Sequence, residues 1–238
     1  MKILISDFDK TFYTENYDNN IKLINEFVNA GNKFVIATGR PLYFLEPSIE
    51  GKNINYYNLI CSDGTVIFDK NNKILFQEVI KKETIQTLIE KIRNNPHISD
   101  YYLNTAYANT KDINVIANGF LGVPIDRDES QKFIDKLPEI DENIKGYLSH
   151  KWINIINKNA SKSSAIKKLI EINNWNYEDI YVAGDYYNDI EMNKDYQSFC
   201  FDFSPEELKK VSNYVVKDFS DILKKIGFWT EPQKLDSL

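Results

Sequence analysis

The chain of 238 residues has only two cysteines, Cys61 and Cys200, each inside an apolar stretch. No CxxC pair and no Cys/His cluster is present, which argues against a zinc site; two isolated thiols read as small buried hydrophobes in a reducing compartment. Histidine is equally scarce. His97 follows Pro96 and His150 precedes Lys151, neither near a recognisable nucleophile, so no histidine catalysis is assigned. A basic excess is lacking too: 29 Lys and Arg stand against 35 Asp and Glu, a formal net charge of -6. With a pI near 5.1, that balance argues against a nucleic-acid partner. The N-terminal apolar run is cut at Asp7, too early for a signal peptide or a membrane span, so a cytoplasmic protein without membrane partners is expected. No Walker loop and no GxGxxG occurs, which weakens nucleoside-triphosphate and dinucleotide readings.

What is present is a globular composition, 42% hydrophobic and 27% charged, long enough for one large domain or two small ones. Ile3–Ser6 reads as a short buried strand. Ile21, Leu23, Ile24, Phe27 and Val28 recur at helical spacing before Gly31, and Phe34–Ala37 is an apolar strand ending on Thr38-Gly39-Arg40. YNLICS is a third strand, and TVIFDKNNKILF a hairpin turning at Lys70–Asn72. From about Ile80 the texture changes. A helix carries Ile85, Leu88, Ile89 and Ile92, a polar stretch rich in Tyr and Asn follows, then a short helix near Phe133–Leu137 and a strand at Trp152–Ile156. Strand–helix alternation then resumes with a helix at Ser161–Ile172, a strand at Asp179–Asp185, a strand SFCFDF, a helix capped by Ser204-Pro205 and a last strand YVV. Alternation at both ends predicts an α/β fold, a doubly wound parallel-sheet core with an inserted α+β unit. The expected division is a core of 1–79 and 158–238 and an insertion of 80–157.

Ligands of open parallel sheets bind beyond the carboxyl ends of the strands, so those ends are read together. The first ends on Asp7 and Asp9, the second on Thr38 and Arg40, the third on Ser62-Asp63-Gly64, and a late one on Gly184-Asp185-Tyr186-Tyr187-Asn188-Asp189. Taken alone, Asp7 and Asp9 would be a solvated strand end, and Lys162 an ordinary charge in a lysine-rich helix start. Several carboxylates from distant segments on one edge need a cation, and all-oxygen ligands favour Mg²⁺.

DFDKT, ATGR, the lysine of NASKSSAIKKL and GDYYND resemble, in order, the four motifs of the haloacid dehalogenase superfamily of phosphohydrolases. The insertion between the second and third motifs, and the hairpin SDGTVIFDKNNKIL, resemble the Cof-type branch, whose α/β cap covers the active site. The resemblance implies a phosphatase acting on small phosphomonoesters, such as sugar phosphates or phosphorylated cofactors. In it Asp7 is the nucleophile and Asp9 the general acid, then base. Thr38 and Lys162 contact the transferring group, and Mg²⁺ is held by Asp7, the Asp9 carbonyl and Asp185. Asp189 either joins the metal ligands or orients Lys162; Gly39, Arg40 and Asn188 complete the substrate contacts. The expected partner is a small phosphorylated metabolite, and the assembly a monomer or homodimer.

Two positions depart from the family pattern. Lys10 stands where relatives usually have Gly, a cost if the backbone there must be open. Asp63 stands where Asn is usual, as a turn residue or an altered contact. Within the cap, Tyr101, Tyr102, Tyr107, Arg127, Lys145 and Tyr147 are candidate leaving-group contacts. Alternatives are a phosphomutase or phosphotransferase of the same fold, a phosphate-accepting receiver, and a catalytically silent binder of phosphate ligands.

Overall fold

A computed structural model describes residues 1–149 and 151–228; His150 and the C-terminal residues lie outside the described part. The chain divides into two compact units, 1–34 with 176–238, and 35–175.

In the first unit Ile3–Asp7 is a strand buried at all five positions. It pairs in parallel with Ile180–Ala183, with Ile3 opposite Ile180 and Ser6 opposite Ala183. Gln197–Phe201 and then Tyr214–Val216 add in parallel. Strands covered on both faces read as unbroken apolar runs rather than alternations, which is why Ile3–Asp7 and Ile180–Ala183 were legible, whereas Tyr214–Val216 is exposed at its first two positions. The helix Tyr17–Asn29 buries Tyr17, Asn20, Ile21, Ile24 and Phe27, so Leu23 and Val28 flank the buried stripe rather than form it. One expected cap differs. The helix Glu206–Val211 starts after Pro205 with no side-chain cap, and Ser204 Oγ instead accepts a hydrogen bond from Phe201 N–H.

In the second unit Lys33–Ala37, whose first two residues belong to the first unit, pairs in parallel with Asn58–Cys61. The antiparallel strands Val66–Asp69 and Ile74–Gln77 follow as a hairpin. Asp69 Oδ1 accepts from Asn71 and Lys73 N–H and Asn72 is left-handed, so the turn closes where the sequence placed it. Beyond the helix Lys82–Arg93 lies a five-stranded antiparallel sheet. Its order is Asn109–Thr110, Ile98–Asn104, Gly119–Pro124, Ile153–Asn157, Ile144–Leu148. The polar stretch rich in Tyr and Asn, for which the sequence named no element, therefore supplies three strands. Leu88, Leu103, Phe120, Ile153 and Ile155 are fully buried at its centre. The unit closes with the helix Lys162–Asn173.

Candidate active site

The parallel register of the first unit carries Asp7 and Gly184-Asp185 to the same sheet edge. Asp7, Asp185 and Asp189 are all buried, and each offers a carboxylate oxygen within 4.8 Å of the others. At such a separation each pair of negative charges repels by roughly 3 kcal/mol at an effective dielectric constant of about 20. A cation relieves that repulsion, and oxygen ligands of this kind fit a hard divalent ion. The residues present thus fit a metal. The Asp9 side chain is not part of this group; Asp9 is half-buried and bridges to Tyr13.

Local hydrogen bonds fix each carboxylate. Thr11, fully buried, donates from Oγ1 to Asp185 Oδ1 at 3.1 Å. Asp189 Oδ2 accepts the backbone N–H of Asp185 at 3.0 Å and of Tyr186 at 3.1 Å. Asp185 and Asp189 meet by this fold-back. Gly184 makes the fold-back possible, because a Cβ there would stand 2.4 Å from both Cβ and Cγ of Asp189. Asn188 is exposed beside them.

After Asp7 the chain turns sharply. Tyr13 N–H and Phe12 N–H both donate to the Phe8 carbonyl, Lys10 N–H donates to the Tyr13 carbonyl, and the Phe8 and Tyr13 rings stack. Lys10 occupies the left-handed region at φ 62°, so the open backbone conformation is adopted here by a residue that carries a side chain.

The second unit holds Thr38, Gly39, Arg40, Asp63 and Lys162. Thr38 is fully buried and its N–H donates to the Ile60 carbonyl. Its Oγ1 accepts Arg40 N–H at 3.0 Å, leaving the hydroxyl proton as its donor. Asp63 N–H donates to the Thr38 carbonyl and Ser62 N–H to the Arg40 carbonyl, which knits this loop to the turn after the third strand. Ser62 and Asp63 are both left-handed there, so Asp63 is a turn residue. It is an altered contact as well, because the Tyr147 hydroxyl donates to Asp63 Oδ2. Burial of that hydroxyl, then the negative charge and hydrogen bond of Asp63, push the Tyr147 pKa well above the ordinary phenol value.

Gly64, at φ 91°, lets the same turn touch the start of the next site helix; a Cβ there would lie 2.0 Å from the Ser161 carbonyl oxygen. Ser161 caps that helix, its Oγ accepting Ser164 N–H while Ser164 Oγ accepts Ser161 N–H. Lys162 follows at 2% exposure, so it is not a solvated surface charge. An ammonium buried at the positive end of a helix is disfavoured by desolvation and by the helix dipole, a placement that suits it to an anion. Arg40, by contrast, spends Nη1 on Ser48 Oγ and the Phe44 carbonyl, along the helix Leu42–Ile49.

Thr11 and Gly184 carry this geometry and had been given no role. Thr11 lies in the turn beyond the strand, where no spacing pattern pointed to it; Gly184 showed only as a strand end.

Comparison with known proteins identifies the family. Residues 4–118 and 93–222 match the family model of the haloacid dehalogenase-like hydrolases. The 5-amino-6-(5-phospho-D-ribitylamino)uracil phosphatase YcsE of Bacillus subtilis is 24% identical, over 82% of this chain and 81% of its own. The phosphoglycolate phosphatase of Picrophilus torridus is 27% identical, over 90% of this chain and 85% of its own. A haloacid dehalogenase-like hydrolase from Bacteroides thetaiotaomicron superposes with a TM-score of 0.80 at 18% identity, covering 95% of this chain and 98% of that one. With the motifs placed at the strand ends and the family model spanning most of its length, the chain belongs to the haloacid dehalogenase-like hydrolases, as an enzyme of their phosphatase type.

Proposed function

We propose that the enzyme is a Mg²⁺-dependent phosphatase of small phosphomonoesters, sugar phosphates or phosphorylated cofactors, working through an aspartyl-phosphate on Asp7. The observation that carries the reading is the buried group Asp7, Asp185 and Asp189, with carboxylate oxygens within 4.8 Å. These three, with the Asp9 main-chain carbonyl, would hold the ion, which supplies charge neutralisation between carboxylate and phosphate.

Asp7 attacks phosphorus, the phosphorus–oxygen bond to the alcohol breaks, and Asp9 gives its proton to the leaving oxygen. Water then attacks phosphorus and Asp9 takes its proton. The bond to Asp7 breaks, inorganic phosphate leaves, and both carboxyl groups return to their starting state. Thr38 donates to a phosphoryl oxygen and the buried Lys162 offsets its charge. Gly39, Arg40 and Asn188 are the remaining proposed substrate contacts. Residues 80–157 serve as the cap over a core of 1–79 and 158–238, excluding water during the first step.

A cytoplasmic monomer or homodimer is proposed with it. Both cysteines are free and buried, and no helix among the described residues is long and apolar enough to cross a membrane. Phosphate release from a panel of phosphorylated metabolites, with and without Mg²⁺ and beside Asp7→Asn, tests the reading. Turnover that needs Mg²⁺ and vanishes in the variant supports it; turnover that survives in Asp7→Asn overturns it.

A further inference from the structure

The turn Ser62–Gly64 brings a carboxylate to the loop that would hold the phosphoryl group. A Cβ on Gly39 would lie 3.0 Å from Asp63 Oδ1 and 3.3 Å from Oδ2, so the Asp63 side chain rests directly on the Thr38-Gly39-Arg40 backbone. Above it stands Tyr147, on the strand Ile144–Leu148 of the antiparallel sheet, its hydroxyl donating to Asp63 Oδ2. Tyr147 keeps 37% of its surface exposed, so the pair is not sealed inside the protein. The antiparallel sheet and the loop thus present a carboxylate and a phenol as one hydrogen-bonded pair.

We propose that Asp63 and Tyr147 determine leaving-group specificity, selecting alcohols that carry further hydroxyl or amino groups over alcohols that carry a carboxylate or a second phosphate. The inference rests on the phosphatase reading and specifies its substrate. A carboxylate accepts about four hydrogen bonds and the phenol supplies one, so a substrate donor joins Tyr147 on the same group. The phenolic oxygen, whose hydroxyl donates to Asp63, still accepts from a second donor. An anionic leaving group at this place meets Asp63 as a like charge in a partly desolvated site, where repulsion is far larger than in water. Burial and the Asp63 charge also keep the phenol protonated, so it stays a donor.

The test compares two matched esters, a four-carbon polyol phosphate and the corresponding phosphorylated sugar acid, which differ only in a terminal hydroxymethyl or carboxylate. A plain aryl phosphate, with neither group, reports the chemistry alone. Wild-type enzyme should favour the polyol ester by at least about tenfold in kcat/KM. Asp63→Asn, which tolerates the left-handed turn, should bring that ratio towards one, chiefly through KM, with the aryl ester unaffected. Tyr147→Phe should raise KM for the polyol ester and leave kcat in place. A wild-type preference for the acid, or a ratio unmoved in Asp63→Asn while the aryl ester is hydrolysed, overturns this inference and leaves the phosphatase reading standing. No phosphate from any of the three esters overturns both.

Discussion

Gly64→Ala is expected to damage stability and activity together, for a reason its near-equivalent Gly31 does not share. Both glycines are at positive φ, 91° and 89°. An alanine at either position accepts a conformational cost of about 1–2 kcal/mol. At Gly31 nothing lies within 4 Å of the added Cβ. At Gly64 that atom falls 2.0 Å from the Ser161 oxygen and 2.4 Å from its carbonyl carbon, both backbone. The main chain must yield by more than about 1 Å, an overpacking cost of about 1–3 kcal/mol. The totals are about 2–5 kcal/mol for Gly64→Ala against about 1–2 for Gly31→Ala. For a chain of this size a kilocalorie moves Tm by about 2–4 °C, so the expected losses are about 4–20 °C and about 2–8 °C. The atoms displaced belong to the cap of the helix that begins with Lys162. A misplacement of about 1 Å in such a group costs on the order of a hundredfold in rate. Thermal unfolding by circular dichroism and phosphate release with an aryl phosphate measure the two effects, and Gly31→Ala should keep its turnover. Equal melting of the two variants, or a Gly64→Ala enzyme with wild-type turnover, would refute the close-approach argument.

Asp189→Ala orphans two backbone N–H groups, those of Asp185 and Tyr186, and should cost about 2–5 kcal/mol in chemical denaturation. Asp189→Asn keeps an acceptor for them and should unfold near wild type while binding Mg²⁺ more weakly by calorimetry; equal stability of the two variants would count against the fold-back. Lys10→Gly removes the left-handed strain at φ 62° but frees the unfolded chain, for a net gain of up to about 1 kcal/mol; a lowered Tm contradicts this. The Tyr147 pKa is raised in the folded state, so folding holds that proton more tightly than the unfolded chain does. Its contribution is intact below the unfolded phenol value near 10 and is lost as pH rises above it. Wild-type stability should therefore fall more steeply than that of Tyr147→Phe above about pH 10, and parallel pH profiles would refute the assignment. Burial and the nearby charge of Glu46 push the Cys61 thiol far above its usual range, so native protein should resist alkylation there while denatured protein reacts.

What the sequence disclosed and what it hid separate along a physical line. Ile3–Asp7 and Ile180–Ala183 were readable because a parallel strand covered on both faces must be apolar throughout. A carboxylate at the end of such a run then stands out, which is how Asp7 and Asp185 declared themselves. The antiparallel sheet has no such signature. Ile98–Asn104 alternates imperfectly, with a register shift between Ile98 and Asp100, and its tyrosines are half-buried. Gly122 and Gly146 look like strand breakers, yet each makes room for a side chain distant in sequence. A Cβ on Gly122 would meet Ile153 Cδ1 at 3.2 Å, and one on Gly146 would meet Leu137 Cδ1 at 2.6 Å. The helix Leu42–Ile49 was hidden by Pro47 inside it. The chain folds the Asp189 carboxylate back onto two amides, a geometry that its spacing from Asp185 does not announce. Tyr147 and Asp63 are 84 residues apart and share no pattern at all. Motifs record chemistry that neighbours in the chain must perform together, so reading them locates the reacting centre. Substrate choice is assigned here to a contact between the inserted sheet and a turn after the third strand, and a contact of that kind leaves its mark only in three dimensions.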